Sequence, residues 1–218
     1  MTLSQQDDAI ATKLLLVEGN DDFRFFRAMS RHLGITDVTV SSYNGKPNLG
    51  NDLSDRVRSP GFQAVSSLGI VRDADDSSRS AFDSVAGSLR RARLPTPDAP
   101  ITPIERDGLR ISVLILPPDY EQGELENVCL ESIEGSQEMQ CVENYLICQN
   151  SLEPGITSNQ IAKARLHSYL AAGPIYAIED RQLGRRRPAL RLGEAADAGV
   201  WDWESPVFAK IASFLRSL

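Results

Sequence analysis

Short hydrophobic runs alternate with amphipathic stretches along the first half of the chain. The first run, residues 14–17, consists of four aliphatic residues. A run of this length is too short for a helix and is typical of a strand that is buried on both faces of a parallel sheet. Hydrophobic residues then recur at helical spacing, which predicts a helix that starts at once and is capped by Asn20 or Asp21. Its apolar side comprises Phe23, Phe26, Met29 and Leu33.

The same alternation predicts three further strands, at residues 37–43, 64–71 and 109–116. Between them we predict a short helix that ends near Val57 and a longer helix after residue 76. The inward side of the longer helix comprises Ala81, Phe82, Val85 and Leu89. Four prolines make residues 94–103 an irregular connection. Strands that alternate with helices predict a parallel sheet with right-handed crossovers.

From Gly123 onward the pattern is mainly helical. Helices are predicted at 125–133, 139–148, 158–170 and 206–218, with an extended or loop-like segment at 174–192. We therefore expect an N-terminal tail at 1–12, an α/β domain at 13–135 with a parallel sheet of about four strands flanked by helices, and a helical C-terminal extension at 136–218. Trp201 and Trp203 are expected to anchor the last helix against the α/β domain.

The composition describes an ordinary globular protein. Hydrophobic residues make up 41% of the 218 residues, and no apolar run approaches the roughly 20 residues that span a bilayer. The polar N-terminus resembles neither a signal peptide nor a transit peptide. Three cysteines without paired spacing (Cys129, Cys141 and Cys148) favour reduced thiols on helices over a zinc site or a disulfide framework. A soluble cytoplasmic protein is the expectation.

The net charge of −7 argues against non-specific nucleic-acid binding through the whole surface, because such binding depends on neutralising phosphates. It leaves open a local basic patch or a site that holds phosphates through a metal. The densest basic cluster comprises Arg181, Arg185, Arg186, Arg187 and Arg191. This cluster, Arg185, Arg186 and Arg187 above all, is a candidate contact for a nucleic-acid backbone or an acidic partner. A solvated loop explains it equally well.

Carboxylates follow two of the predicted strands. Glu18 ends the first strand, while Asp73 and Asp75 follow the third. The first and third strands of a doubly wound sheet are commonly neighbours, about 4.8 Å apart, so these side chains are expected to meet. Two such charges at roughly 4 Å repel by about 4 kcal/mol at an effective dielectric near 20. Either a raised pKa or a hard divalent cation such as Mg²⁺ would relieve that repulsion.

Strand alternation would send Asp73 and Asp75 to the same side if the third strand extends that far. An aspartate-rich turn is also a common helix cap, and Asp76 or Ser77 is expected to serve as one.

Three motifs at strand ends resemble those of the Toprim domain, which topoisomerases, bacterial primases and overcoming-lysogenisation-defect (OLD) nucleases share. They are Val17-Glu18-Gly19-x-x-Asp22 after the first strand, Gly45 after the second and Asp73-x-Asp75 after the third. The likeness covers about residues 13–120. With the 123–126 and 201–203 segments included, the whole chain resembles the small standalone Toprim proteins that are grouped as a family of unknown function.

The resemblance implies a Toprim-like Rossmannoid sheet with an acidic site that binds Mg²⁺ or Mn²⁺. It makes Glu18 a general acid or base, or a metal ligand, and it makes Asp73 and Asp75 metal ligands. The third aspartate that topoisomerases commonly carry is Ser77 here. Neither a topoisomerase tyrosine domain nor a primase zinc module fits into the chain, so phosphodiester hydrolysis is the activity that the resemblance leaves.

Two glutamates after the fourth predicted strand are secondary candidates. Glu126, together with Glu124, could complete a second metal position. Glutamates in a first helical turn are also favoured simply by the helix dipole.

The predicted substrate-binding set lies in the first two turns and comprises Gly19, Asp22, Gly45 and Lys46. Lys46 could neutralise a phosphate or be an exposed turn lysine, while Asp22 could equally be a helix cap. Lys163, Arg165 and His167 could extend the basic cluster, although their spacing does not place them on one helical face. His32 and His167 lack partners at catalytic spacing and are interpreted as structural.

Two functional hypotheses follow. The first is Mg²⁺-dependent hydrolysis of nucleic-acid phosphodiesters. The second is a non-catalytic module that binds a partner protein or a nucleotide, for example an ATPase supplied by another chain. A receiver-like phosphoacceptor or a dehalogenase-like phosphatase is a weaker third hypothesis, because residues 109–120 offer no lysine after the strand.

Overall fold

The computed structural model describes residues 12–152, 158–172 and 190–218. The strands in this part of the chain are β1 (Lys13–Val17), β2 (Val38–Ser42), β3 (Ser67–Asp73), β4 (Ile104–Arg106) and β5 (Leu109–Leu116). Its helices are α1 (Asn20–His32), α2 (Leu49–Arg58), α3 (Ser78–Arg91), α4 (Leu125–Ser132), α5 (Gln137–Leu152), α6 (Ser158–Ala172), α7 (Leu192–Asp197) and α8 (Ala209–Arg216).

The strands form a sheet in the order β2-β1-β3-β5-β4. β1 pairs in parallel with both β2 and β3, and β3 pairs in parallel with β5. The predicted α/β fold with its mostly parallel sheet is confirmed, and β1 and β3 are neighbours as predicted. Their carboxyl ends therefore lie side by side.

The antiparallel edge strand β4 was not predicted. It joins β5 through Asp107 and Gly108, which both have positive φ, 54° and 78°. An Asp-Gly pair in this conformation is typical of a tight hairpin turn. The turn signal was therefore present in the sequence, but β4 is only three residues long, which is too short to show an alternation of hydrophobic and polar residues.

Both faces of the sheet are buried, which explains the continuous hydrophobic runs of its strands. One face, including Leu15, Val17, Val71 and Leu114, packs with buried residues of α1 and of α4 to α8. The other face, including Leu14, Leu16, Ile70 and Val113, packs with α2 and α3. The C-terminal helices thus share one continuous core with the sheet.

Trp201 and Trp203 anchor the C-terminal end, as predicted. Trp201 is buried in the same core as β1. The Trp203 ring lies 5.1 Å from the Phe25 ring of α1 and 5.4 Å from the Phe208 ring that precedes α8. His32 contacts Glu204 at 2.9 Å, which agrees with its structural interpretation.

Helix α7 was not predicted, and it begins at the end of the segment interpreted as loop-like; residues 173–189 of that segment lie outside the described residues. The helix docks on α1 through Gly193. A Cβ atom at Gly193 would lie 2.8 Å from the Asp21 carbonyl oxygen. The Gly193 N–H donates to Asp21 Oδ1 at 3.2 Å.

This close approach gives a stability prediction. Gly193→Ala is expected to lower the free energy of unfolding by about 1–3 kcal/mol, because the new methyl group meets the backbone of α1. Gly61→Ala is the control, since a Cβ atom there meets nothing within 4 Å. Urea unfolding of both variants measures the difference, and equal midpoints would contradict the docking described here.

Within the described ranges, no helix is both long enough and apolar enough to cross a membrane. Cys129 lies buried on α4, Cys141 and Cys148 lie exposed on α5, and no disulfide joins these three cysteines.

Candidate functional site

Glu18 follows directly after β1, and its backbone is held by the loop after β2. Its carbonyl oxygen accepts hydrogen bonds from the Gly45 N–H at 2.9 Å and from the Ser42 hydroxyl at 3.1 Å. Gly45 has a φ of 101°, a conformation that favours glycine. The Gly45 turn therefore holds the end of β1 against the end of β2.

The prediction that Asn20 or Asp21 caps α1 is wrong: Gly19 is the N-cap, because the Asp22 carboxylate accepts its N–H. Asp22 thus caps the helix and belongs to the site at the same time. The Gly19 N–H donates to Asp22 Oδ2 at 3.0 Å. Burial raises the pKa of Asp22, two backbone hydrogen bonds oppose this, and the charges of Asp21 and Glu124 raise it further. The capping interpretation of Asp22 thus holds, but its carboxylate also contributes to the negative charge of the site.

Asp73 is the last residue of β3 and contacts the start of α4. Its Oδ1 accepts a hydrogen bond from the Leu125 N–H at 3.0 Å. Burial raises the pKa of Asp73 well above its ordinary value, and the charges of Asp22, Glu126 and Glu18 raise it further. Asp73 therefore lies where carboxylates of three other segments meet.

Strand alternation does not determine the position of Asp75, because β3 does not extend that far. β3 ends at Asp73, and Asp75 has a φ of 51°. Asp75 and Gly123 exchange two backbone hydrogen bonds of 2.9 and 2.8 Å. The alternation argument therefore does not apply, and the Asp75 carboxylate forms an ion pair with Lys46.

The helix cap that was predicted at Asp76 or Ser77 is Ser77. Its hydroxyl accepts a hydrogen bond from the Ser80 N–H at 3.2 Å and begins α3.

The start of α4 supplies two further carboxylates. Glu124 precedes the helix, and its N–H bonds to Asn127 Oδ1 at 2.9 Å. Glu126 lies in the first turn; burial raises its pKa to about 7, and the charge of Glu124 adds to this. Both glutamates thus lie at the site, beside Asp73.

Lys163, on α6, was predicted only as an extension of the basic cluster. Its Nζ lies 2.7 Å from Glu124 Oε2. The ion pair with Glu124 raises the pKa of Lys163, while burial opposes this and the charges of Glu126 and Asp73 support it. The sequence carried no signal for this placement, because α6 follows α4 at a distance along the chain.

We call this group of partly buried carboxyl groups the acidic centre; its members are Glu18, Asp22, Asp73 and Glu126. Burial raises the pKa of Glu18 to about 7, with the charge of Lys46 opposing and those of Asp22 and Asp75 adding. Glu18 Oε2 is buried and has no hydrogen-bond partner in the part of the chain that the structure describes. The carboxyl groups of the acidic centre therefore favour uptake of a proton or a cation over full ionisation.

A cleft of about 510 Å³ adjoins the acidic centre. Its lining includes Lys46, Asp75, Gln122, Glu124, Asn127 and Ala162. The loops after β2, β3 and β5 all contribute to it, as expected for the carboxyl edge of a parallel sheet.

Among residues 12–152, 158–172 and 190–218, no three acidic, histidine or cysteine side chains converge as a ready set of metal ligands. The chemistry of the acidic centre nonetheless fits a hard divalent cation, because it offers only carboxylate oxygens and one of them, Glu18 Oε2, is buried with no hydrogen-bond partner within the described ranges. Glu18, Asp73, Asp75 and Glu126 are the residues that would hold such an ion.

The remaining candidates divide between exposed positions and residues that the structure does not describe. Arg191 is exposed and precedes α7, and His167 is exposed on α6. Arg181, Arg185, Arg186 and Arg187 lie outside the described residues.

No curated protein sequence matches the chain significantly. Among solved structures, the chain is similar to the C-terminal region of the OLD protein of Xanthomonas campestris pv. campestris, at 13% sequence identity over 95% of each chain and with a TM-score of 0.48. Residues 12–218 match a family model described as "Protein of unknown function (DUF3226)". The predicted resemblance to a family of unknown function is confirmed, and the chain belongs to the DUF3226 family.

Proposed function

We propose that this protein hydrolyses phosphodiester bonds of nucleic acid in a reaction that depends on Mg²⁺ or Mn²⁺. The observation that carries the proposal is a group of four carboxyl groups at the carboxyl edge of the sheet, close enough to raise one another's pKa. Such a concentration of partly buried carboxyl groups beside a cleft is costly for the fold and is typical of functional sites. The resemblance of its motifs to Toprim nucleases supports the same chemistry.

Glu18 is the proposed general base. Burial raises its pKa to about 7 in the metal-free protein, and in its ionised form it would accept a proton from an attacking water and return that proton to the leaving oxygen. The carboxylates named above would hold a Mg²⁺ ion, which would supply Lewis-acid polarisation of a phosphoryl oxygen. Asp73 keeps its place through the Leu125 N–H, so its carboxylate is oriented before any ligand arrives.

Substrate contacts are proposed at the rim of the cleft. Gly19 and Gly45 bring the backbone of two turns to the edge of the sheet, and Lys46 lines the cleft itself. Arg185, Arg186 and Arg187 are the proposed contacts for the nucleic-acid backbone. A local contact of this kind is needed because the net charge of −7 repels nucleic acid from the rest of the surface.

Incubation of the purified protein with supercoiled plasmid and with single-stranded RNA tests the proposal. We expect cleavage in Mg²⁺ or Mn²⁺ and none in EDTA. Absence of divalent-dependent cleavage of both substrates would count against hydrolysis of nucleic acid.

A non-catalytic binding module is the second candidate. It is favoured by the ion pairs of Lys46 and Lys163, which already neutralise Asp75 and Glu124. Such a module would bind a nucleotide or a partner protein, for example an ATPase subunit encoded separately. Calorimetry that detects nucleotide binding but no uptake of millimolar Mg²⁺ would favour this candidate over the first.

A further inference from the structure

Two lysines from different elements contact carboxylates next to the acidic centre. Lys46 lies in the loop after β2 and pairs with Asp75, while Lys163 lies on α6 and pairs with Glu124. Only the first of these carboxylates belongs to the proposed ligand set. Whether the Asp75 carboxylate is available to bind a cation therefore depends on its ion pair with Lys46.

Backbone hydrogen bonds hold both partners of this pair in place. The residue before Lys46 is bonded to the Glu18 carbonyl oxygen at 2.9 Å. Asp75 is fixed by its two backbone hydrogen bonds to Gly123. The ion pair is thus set by two anchored loops that meet at the end of β1, rather than by two free surface chains.

Burial also separates this pair from an ordinary surface ion pair. The side chains of Lys46 and Asp75 are 34% and 31% exposed. Those of Lys210 and Asp119, which also form an ion pair, are both 56% exposed. A half-buried pair is screened less by solvent, so its formation and release carry more free energy.

We propose that Lys46 is an internal counter-ion that competes with a divalent cation for Asp75 and is released when that cation binds. This inference rests on the cation binding assumed in the proposed function. An ion that takes the Asp75 oxygens removes the partner of Lys46 and repels its ammonium group. Because Lys46 lines the cleft, the released ammonium can then bind a phosphate of the substrate, so cation binding precedes phosphate capture.

Calorimetric titration with Mn²⁺ in the absence of substrate tests the competition. Lys46→Met is expected to bind Mn²⁺ about tenfold more tightly than the unmodified protein, which corresponds to about 1.4 kcal/mol. Lys163→Met is the matched control. It also removes one lysine charge next to the acidic centre, but it frees Glu124 instead of Asp75. Equal tightening in both variants would reflect general charge repulsion and would overturn the inference.

Amine acetylation followed by mass spectrometry tests the release in the unmodified protein, and it remains decisive if Lys46→Met fails to fold. We expect saturating Mn²⁺ to increase the labelling rate of Lys46 and to leave that of Lys210 unchanged. An unchanged rate at Lys46 in protein shown by calorimetry to bind Mn²⁺ would overturn the inference.

The two proposals fail separately. If the unmodified protein cleaves nucleic acid in divalent cations but Lys46→Met binds Mn²⁺ with unchanged affinity, the competition is ruled out and the proposed hydrolytic function stands. If Lys46→Met binds Mn²⁺ more tightly but the unmodified protein cleaves no nucleic acid, the hydrolytic function is ruled out and the competition stands.

Discussion

Glu18→Gln is expected to lower the rate of Mg²⁺-dependent cleavage by about 100-fold or more, which is the usual contribution of a general acid or base. The amide has nearly the shape of the carboxylate but cannot accept the proton. The backbone contacts of Glu18 with Gly45 and Ser42 do not involve its side chain, so they remain. A plasmid-nicking time course in Mg²⁺ measures the loss.

Asp73→Asn should cause a comparable loss for a different reason, because it removes a proposed ligand. The asparagine oxygen can still accept the hydrogen bond of the Leu125 N–H, and the substitution relieves repulsion among buried carboxylates. Both variants should therefore fold at least as stably as the unmodified protein. Glu121→Gln, an exposed change in the loop after β5, serves as the control. Full cleavage by either Glu18→Gln or Asp73→Asn would remove that residue from the mechanism.

Glu126→Gln is expected to stabilise the metal-free protein at pH 8 by about 2–3 kcal/mol and to have little effect near pH 4. Burial raises the pKa of Glu126 from 4.5 to about 7. Between these values the folded protein binds more protons than the unfolded chain, so stability falls as the pH rises from about 4.5 to about 7. Each unit of pKa is about 1.4 kcal/mol, and glutamine removes this penalty.

Thermal unfolding in EDTA across this pH range measures the difference between Glu126→Gln and the unmodified protein. Glu134→Gln, an exposed change just after α4, is the control and should show no pH-dependent gain. Added Mg²⁺ should raise the melting temperature of the unmodified protein more at pH 8 than at pH 5, because protonated carboxyl groups are poor ligands. The stability difference between Glu126→Gln and the unmodified protein should therefore grow from pH 4 to pH 8. A difference that stays the same across this range would contradict the partial burial of the Glu126 carboxyl group.

The local sequence pattern was sufficient to predict most strands of the sheet and the carboxylates at its carboxyl edge. Hydrophobic runs placed β1, β2, β3 and β5, and the alternation with helices indicated that the strands are parallel. Because parallel strands end at one edge, Glu18 and Asp73 could be placed together before the structure was known. The cap at Ser77 was equally local.

Short elements escaped the same reasoning. β4 and α7 are three and six residues long, so neither completes enough of its period to be recognised. α7 also depends on contact with α1 through Gly193, which is a tertiary contact.

The sequence by itself determined which carboxylates lie at the carboxyl edge of the sheet, since strand ends follow from hydrophobic periodicity. Only the tertiary structure decided how their charge is distributed: it paired Asp75 with Lys46, brought Lys163 from α6 to Glu124, and left Glu18 Oε2 without a hydrogen-bond partner among the described residues. The physical reason is that periodicity specifies the direction of a residue within its own element, whereas an ion pair depends on where two loops or helices distant in sequence come together.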